Sequence, residues 1–200
     1  MRIVVIGATG LIGRVVSNAL AESHEVVPVG HSSGEVRVDI TDADSIRALF
    51  KKIGSYDALV STAGGARFAP LAKLSDEDFA LSLKDKLMGQ VNLVRLGSAT
   101  IRDGGSFTLT SGVLAREPIP GSAAISLVNA GLNGFVRAAA IDLPRGVRIN
   151  IVSPPFAIET LRQLGMDESS GLPVTRFARA YREAVEGHDN GKVLDVRALQ

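Results

Sequence analysis

Apolar residues run unbroken from Ile3 to Ile6, behind Met1 and Arg2. A β-branched run without polar alternation predicts a short strand buried on both faces. Val15, Val16, Ala19 and Leu20 then recur at helical spacing. The same switch of period repeats along the chain. Strands are predicted over residues 26–29, 36–38, 58–61, 107–110 and 147–152, with a last short one over 192–196. Thr41 and Asp42 can cap a helix over 43–52 whose apolar face is Ile46, Leu49, Phe50 and Ile53. Ser75, followed by Asp76, Glu77 and Asp78, starts a helix through Phe79, Leu83, Leu87, Val91 and Val94 to about Gly97. A helix of small residues covers 123–143, and a late helix covers 176–186. Gly104 and Gly105 predict a turn, as do Pro144, Arg145 and Gly146, while Pro154 and Pro155 stop the sixth strand.

This alternation predicts one α/β domain, a doubly wound parallel sheet of Rossmann-like type. Right-handed crossovers give the strand order 3-2-1-4-5-6-7. One connection is irregular: residues 30–35 are too few for the helix that parallel neighbours usually need. Either that helix is reduced to a loop, or one of the two strands is misassigned. Ligand is expected over the carboxyl ends of the strands, near the switch between the first and fourth.

The turn after the first strand gives that expectation its chemistry. Gly7, Gly10 and Gly13 stand at spacing G-x-x-G-x-x-G. Gly7 lets the chain leave the strand sharply, Gly10 lets a diphosphate approach the backbone, and Gly13 lets the helix pack close to the strand. Free N–H groups and the positive end of the new helix face the phosphates, and Thr9 adds a hydroxyl. Strand, glycine turn and helix together predict a dinucleotide site; the alternative is a tight turn that binds nothing.

Composition removes other chemistries. Net charge is +1 with no basic block, so no nucleic-acid partner is expected. There is no Cys, which excludes disulfides, thiolate metal sites and cysteine nucleophiles, and three scattered His argue against a metal centre. No apolar run of membrane-spanning length and no signal peptide stand out, so a soluble cytoplasmic protein is the expectation.

In these landmarks the chain resembles the short-chain dehydrogenase/reductase family over nearly its whole length. Gly7-Ala8-Thr9-Gly10-Leu11-Ile12-Gly13 matches the family's glycine turn, at the spacing of its extended and atypical branches rather than T-G-x-x-x-G-x-G. Asp39-Ile40 matches the acidic position after the third strand, which in the family contacts adenine. Thr62-Ala63-Gly64 resembles N-A-G, with Thr for Asn. Residues 129–135 are similar to K-A-A-L-x-G-F, and 148–154, ending in Pro154, to R-V-N-x-V-S-P. The resemblance, together with the residues available after the second strand (His31, Ser32, Ser33) and Arg14, gives an expected cofactor site of Gly7, Thr9, Gly10, Leu11, Ile12, Gly13, Arg14, His31, Ser32, Ser33, Asp39, Ile40, Thr62, Ala63, Gly64 and Pro154.

The family's catalytic residues carry over poorly. Its Y-x-x-x-K falls on Ile125 and Asn129, and its middle-helix asparagine falls on Lys86. Its serine falls on Ser111 or, by strict spacing, on Gly112. Ile125 cannot donate a proton, and a positioned general acid is worth about 10²–10⁴ in rate. Ser111 and Lys86 are therefore the catalytic candidates, against a strand-end serine bonding backbone and a solvated surface lysine. Tyr56 and Tyr181 lie outside the expected site.

No acid ends the second strand, where binding of an unphosphorylated ribose diol calls for one. Ser32 and Ser33, with Arg14 nearby, favour NADP over NAD. The segment 156–174 replaces the family's substrate lid and predicts a small or open pocket. The small-residue helix, apolar nearly all round, is expected to be buried; the resemblance implies that it and the helix from Ser75 form a two-fold interface, so a homodimer or homotetramer is expected. Two functions follow from these readings. One is an oxidoreductase moving hydride between NADP(H) and a small carbonyl or alcohol; the other is a catalytically impaired NADP(H)-binding sensor or regulatory protein.

Overall fold

A computed structural model describes residues 1–199. Seven parallel strands form one sheet in the order β3-β2-β1-β4-β5-β6-β7. They are β1 (Arg2–Ile6), β2 (Glu25–Gly30), β3 (Val36–Arg37), β4 (Tyr56–Ser61), β5 (Ile101–Thr110), β6 (Arg148–Ser153) and β7 (Val193–Asp195). The chief helices are α1 (Leu11–Ala21), α2 (Ala43–Ile53), α3 (Asp76–Ser82), α4 (Gly89–Gly97), α5 (Ala123–Asp142), α6 (Ile158–Gln163) and α7 (Ala178–Glu186). Successive side chains of a strand point to opposite faces, and β1 uses both. Ile3 and Val5 join α1 and α7 on one side, whereas Val4 and Ile6 join α2 and α4 on the other. None of the four is more than 1% exposed.

The short connection after β2 is a loop. β2 and β3 pair in parallel through Val29–Val36 and Gly30–Arg37. The chain folds back so tightly that a Cβ on Gly30 would stand 2.0 Å from the Ser33 carbonyl oxygen. Asp42 caps α2 by accepting from the Asp44 N–H.

Three elements differ from the sequence reading. The helix from Ser75 opens with a capping box between Ser75 and Asp78 but is not continuous. A π-helical turn, Leu83–Met88, separates α3 from α4. The turn expected at Gly104 and Gly105 lies inside β5, where Gly104 takes φ +71° and the register against β4 shifts. The helix expected to be buried all round, α5, buries one stripe: Ala124, Val128, Asn129, Leu132, Asn133 and Val136. By length and composition alone α5 is apolar enough to cross a membrane, contrary to the sequence expectation, but that stripe packs on the sheet. The segment 156–174 is built around α6, bridged by Ala157 and Leu172, with Leu161 and Val174 buried.

Candidate active site

The glycine turn is held by backbone. Gly7 takes φ +82°, and its N–H and that of Ala8 both donate to the Val29 carbonyl of β2. A Cβ on Gly13 would stand 2.0 Å from the Gly7 carbonyl oxygen, so only glycine lets α1 start this close to β1. Gly10 precedes α1 in extended conformation, and no side chain caps the helix. Its first N–H groups thus lack a side-chain partner. Thr9, Gly10 and Arg14 are exposed, and Leu11 and Ile12 are half-buried in the first turn.

Beside this turn lies a cleft of about 450 Å³ over the carboxyl ends of β1, β2 and β4. Gly7, His31, Asp39, Ile40, Ala63 and Gly64 line it, as the sequence reading requires. Val38, Thr41 and Asp85 line it as well, and no sequence signal marked Val38 or Asp85 for the site. The Thr41 N–H donates to Asp39 Oδ1 at 2.8 Å. Hydrogen bonds from Thr41, aided by nearby His31 and Lys84, hold the Asp39 carboxyl below its ordinary range despite partial desolvation. An ionised acceptor thus faces the cleft. Ser32 and Ser33 are exposed in the loop after β2. Thr62 turns inward, donating to the Ile6 and Gly7 carbonyls at 3.1 and 3.3 Å, so it fixes the turn.

A second, smaller pocket of about 100 Å³ opens over the ends of β5 and β6, lined by Ser111, Gly112, Ile125, Asn129, Pro154 and Phe156, among others. Ser111 Oγ and Asn129 Oδ1 are buried here without a hydrogen-bond partner. A buried polar atom left unpaired costs roughly 1–3 kcal/mol. Ile125 is half-buried on the wall and offers no donor.

Lys86 lies in the π-helical turn against the loop after β4, where a Cβ on Gly64 would stand 2.8 Å from Lys86 Cα. The side chain is half-buried. Desolvation, opposed by the neighbouring Asp85 charge, lowers its pKa to about 8. Tyr56 is excluded from the site: buried at the start of β4, its hydroxyl donates to the Gly97 carbonyl. Tyr181 is buried too, its hydroxyl 2.7 Å from Thr110 Oγ1, and burial raises its pKa.

The family model described as enoyl-(acyl carrier protein) reductase matches residues 9–193. The chain belongs to the short-chain dehydrogenase/reductase family. It is 26% identical to the 3-oxoacyl-[acyl-carrier-protein] reductase FabG of Staphylococcus aureus, over 88% of this chain and 84% of that protein. The crystal structure of lin1944 from Listeria innocua superposes with a TM-score of 0.95 at 40% identity, covering 98% and 99% of the two chains. A small-chain dehydrogenase in complex with NADPH superposes at 0.86 with 25% identity, covering 98% and 95%. As a family member the protein has the Rossmann-like fold of these oxidoreductases.

Proposed function

We propose that this protein transfers hydride between NADP(H) and a small carbonyl compound or its alcohol. The observation that carries the reading is the cleft at the carboxyl ends of β1, β2 and β4, where Gly7 and Gly13 leave no room for a side chain. The NADPH-bound neighbour supports the choice of cofactor. The backbone from Gly7 to Gly13 holds the diphosphate, Asp39 and Ile40 meet the adenine, and Ser32, Ser33 and Arg14 meet the 2′-phosphate. When bound, the cofactor supplies the hydride.

The chain's own residues handle the substrate oxygen. Ser111 Oγ donates a hydrogen bond to the carbonyl oxygen, fixing and polarising it. Lys86, with its pKa near 8, holds the proton that the new alkoxide takes up, directly or through water. Such a value suits a group that must be charged before the step and neutral after it. Asn129 orients the substrate with its amide. Val113, Leu114 and Phe156 give the pocket an apolar wall that excludes water, and its size restricts the reacting end of the substrate to a few heavy atoms.

Fluorescence titration with NADPH, followed by turnover on a panel of small aldehydes and ketones, tests the reading. Binding with carbonyl-dependent NADPH consumption is expected. Absence of binding overturns it. Ile125, which removes the usual proton donor, favours a second reading as an NADP(H)-binding sensor or regulatory protein; binding without turnover on any carbonyl selects that one. The outer face of α5 stays open, with Leu127 half exposed and Ile141 85% exposed. We assign this face to a homodimer or homotetramer contact, and light scattering at micromolar concentration showing only monomer refutes it.

A further inference from the structure

Gln90 is fully buried in the first turn of α4, a polar side chain with no surface to serve. Its amide is spent on main chain. Oε1 accepts from the Thr110 N–H at 2.9 Å, and Nε2 donates to the Thr110 carbonyl at 2.9 Å. Nε2 also lies 3.4 Å from the Lys86 carbonyl. Thr110 is the last residue of β5, and Ser111 follows it.

The reason lies in the sheet. β4 pairs with β5 through Val60 and Thr108, then leaves as the 62–65 loop beside the cofactor cleft. On that side Thr110 has no neighbouring strand. On the other side Ser111 N–H donates to the Val152 carbonyl of β6. Unpaired buried main chain is costly, and the Gln90 amide takes the place of the missing strand with one donor and one acceptor. The Thr110 hydroxyl is pinned as well, to the Ser61 carbonyl at 2.6 Å and to Tyr181 at 2.7 Å. Every polar group of the residue before Ser111 is thereby fixed.

We propose that Gln90 is a positioning residue that locks the end of β5 to the π-helical turn, setting Ser111 and Lys86 in register with each other. It touches neither substrate nor cofactor. The inference rests on the catalytic use of Ser111 and Lys86 proposed above. Displacements of about 1 Å in such a pair cost on the order of 10²-fold in rate.

The test uses the whole chain as wild type, Gln90→Leu and Gln90→Glu. Leu removes both bonds at similar size. Glu keeps the acceptor when ionised, and regains the donor only when protonated. Two readouts are taken: kcat with KM on the best carbonyl substrate, and the titration of the Lys86 side chain by NMR in 13C-lysine protein, assigned with Lys86→Gln. In Gln90→Leu, kcat falls about tenfold to a hundredfold, the NADPH dissociation constant stays within twofold, and the Lys86 titration moves up from about 8 toward the ordinary lysine value. In Gln90→Glu kcat returns toward wild type as pH falls through the new carboxyl's pKa. A folded Gln90→Leu with wild-type Lys86 titration and kcat overturns the proposal. If that variant does not fold, the pH dependence of kcat in Gln90→Glu decides, and a kcat unmoved by protonation of the new carboxyl overturns the proposal. If the wild type turns over no carbonyl, the functional reading fails, while the Lys86 titration still settles the role of Gln90.

Discussion

The two halves of the site are built by different means. The cofactor cleft, from β1, β2 and β4, is shaped by backbone: Gly7 at positive φ, Gly13 against the Gly7 carbonyl, Gly30 under the folded-back loop. The pocket over β5 and β6 is shaped by side chains: Ser111, Ile125, Asn129 and Phe156. Backbone geometry tolerates almost no substitution, because a Cβ in these places meets main chain. Side chains can exchange while the fold persists. On the family's pattern the asparagine of the middle helix and the lysine of α5 have changed places here, as Lys86 and Asn129. One ammonium and one amide remain with their elements interchanged; of the two only Asn129 lines the pocket, and this is the half in which chemistry can drift.

The comparison breaks most visibly at Lys86. In Lys86→Met, carbonyl reduction falls by about 10²–10⁴ in kcat while NADPH affinity holds. Reduction takes up a proton, so wild-type kcat/KM is level below pH 8 and declines as pH rises through the Lys86 pKa of about 8; the variant lacks that limb. Stability moves the opposite way. The folded pKa lies below the ordinary 10.5, so the buried ammonium opposes folding below pH 8, and the opposition is relieved as pH climbs from 8 toward 10.5. Lys86→Met is therefore more stable at pH 7, by roughly 2 kcal/mol once its partial solvent access is discounted, as chemical denaturation would read. A destabilised or fully active variant makes Lys86 an ordinary helix residue.

Ser111→Ala comes next. Removing a donor to the reacting oxygen costs about 10² in kcat, and since the buried hydroxyl lacks a partner in the free protein, the variant is more stable than wild type, by about 1 kcal/mol. Steady-state kinetics and thermal melts on the same sample separate the two. In the other half the outcome is reversed. Gly13→Ala forces a Cβ against the Gly7 carbonyl, so α1 must retreat, costing about 1–3 kcal/mol of stability and at least tenfold in NADPH affinity.

How much was legible follows the same division. The order of all seven strands could be read from apolar runs and crossover handedness; of the residues lining the cleft, Gly7 was marked by glycine spacing, His31 by its place after the second strand, and Asp39, Ile40, Ala63 and Gly64 by the family resemblance. Glycine at fixed spacing after a strand has few physical explanations, so the signal survives in sequence. The π-helical turn has none: Leu83–Met88 continues the helical spacing, and only packing against Gly64 and Ile40, where a Cβ on Gly89 would stand 2.7 Å from Ile40 Cδ1, reveals it. Gln90 was likewise invisible, since its partner is main chain twenty residues away. Asp85 reaches the cleft from the same turn. The open face of α5 was missed because small residues score as apolar without being covered.

The smallest expected effect falls where the cofactor half does rely on side chains. Ser32 and Ser33 are exposed, in a loop whose path is set by Gly30 rather than by them. On the proposed function their hydroxyls meet the 2′-phosphate from solvent, where a hydrogen bond to a charged group competes with water and the expected net gain is about 0.5–1 kcal/mol each. Ser32→Ala and Ser33→Ala therefore weaken NADPH binding by only about two- to fivefold apiece. NADH, which lacks the phosphate, binds both variants as it binds the wild type, and the difference shrinks as salt is raised. Titrating both cofactors at two ionic strengths reads this directly. Equal losses for NADH and NADPH would mean that the serines hold the loop, and that phosphate discrimination lies with Arg14 or His31 instead.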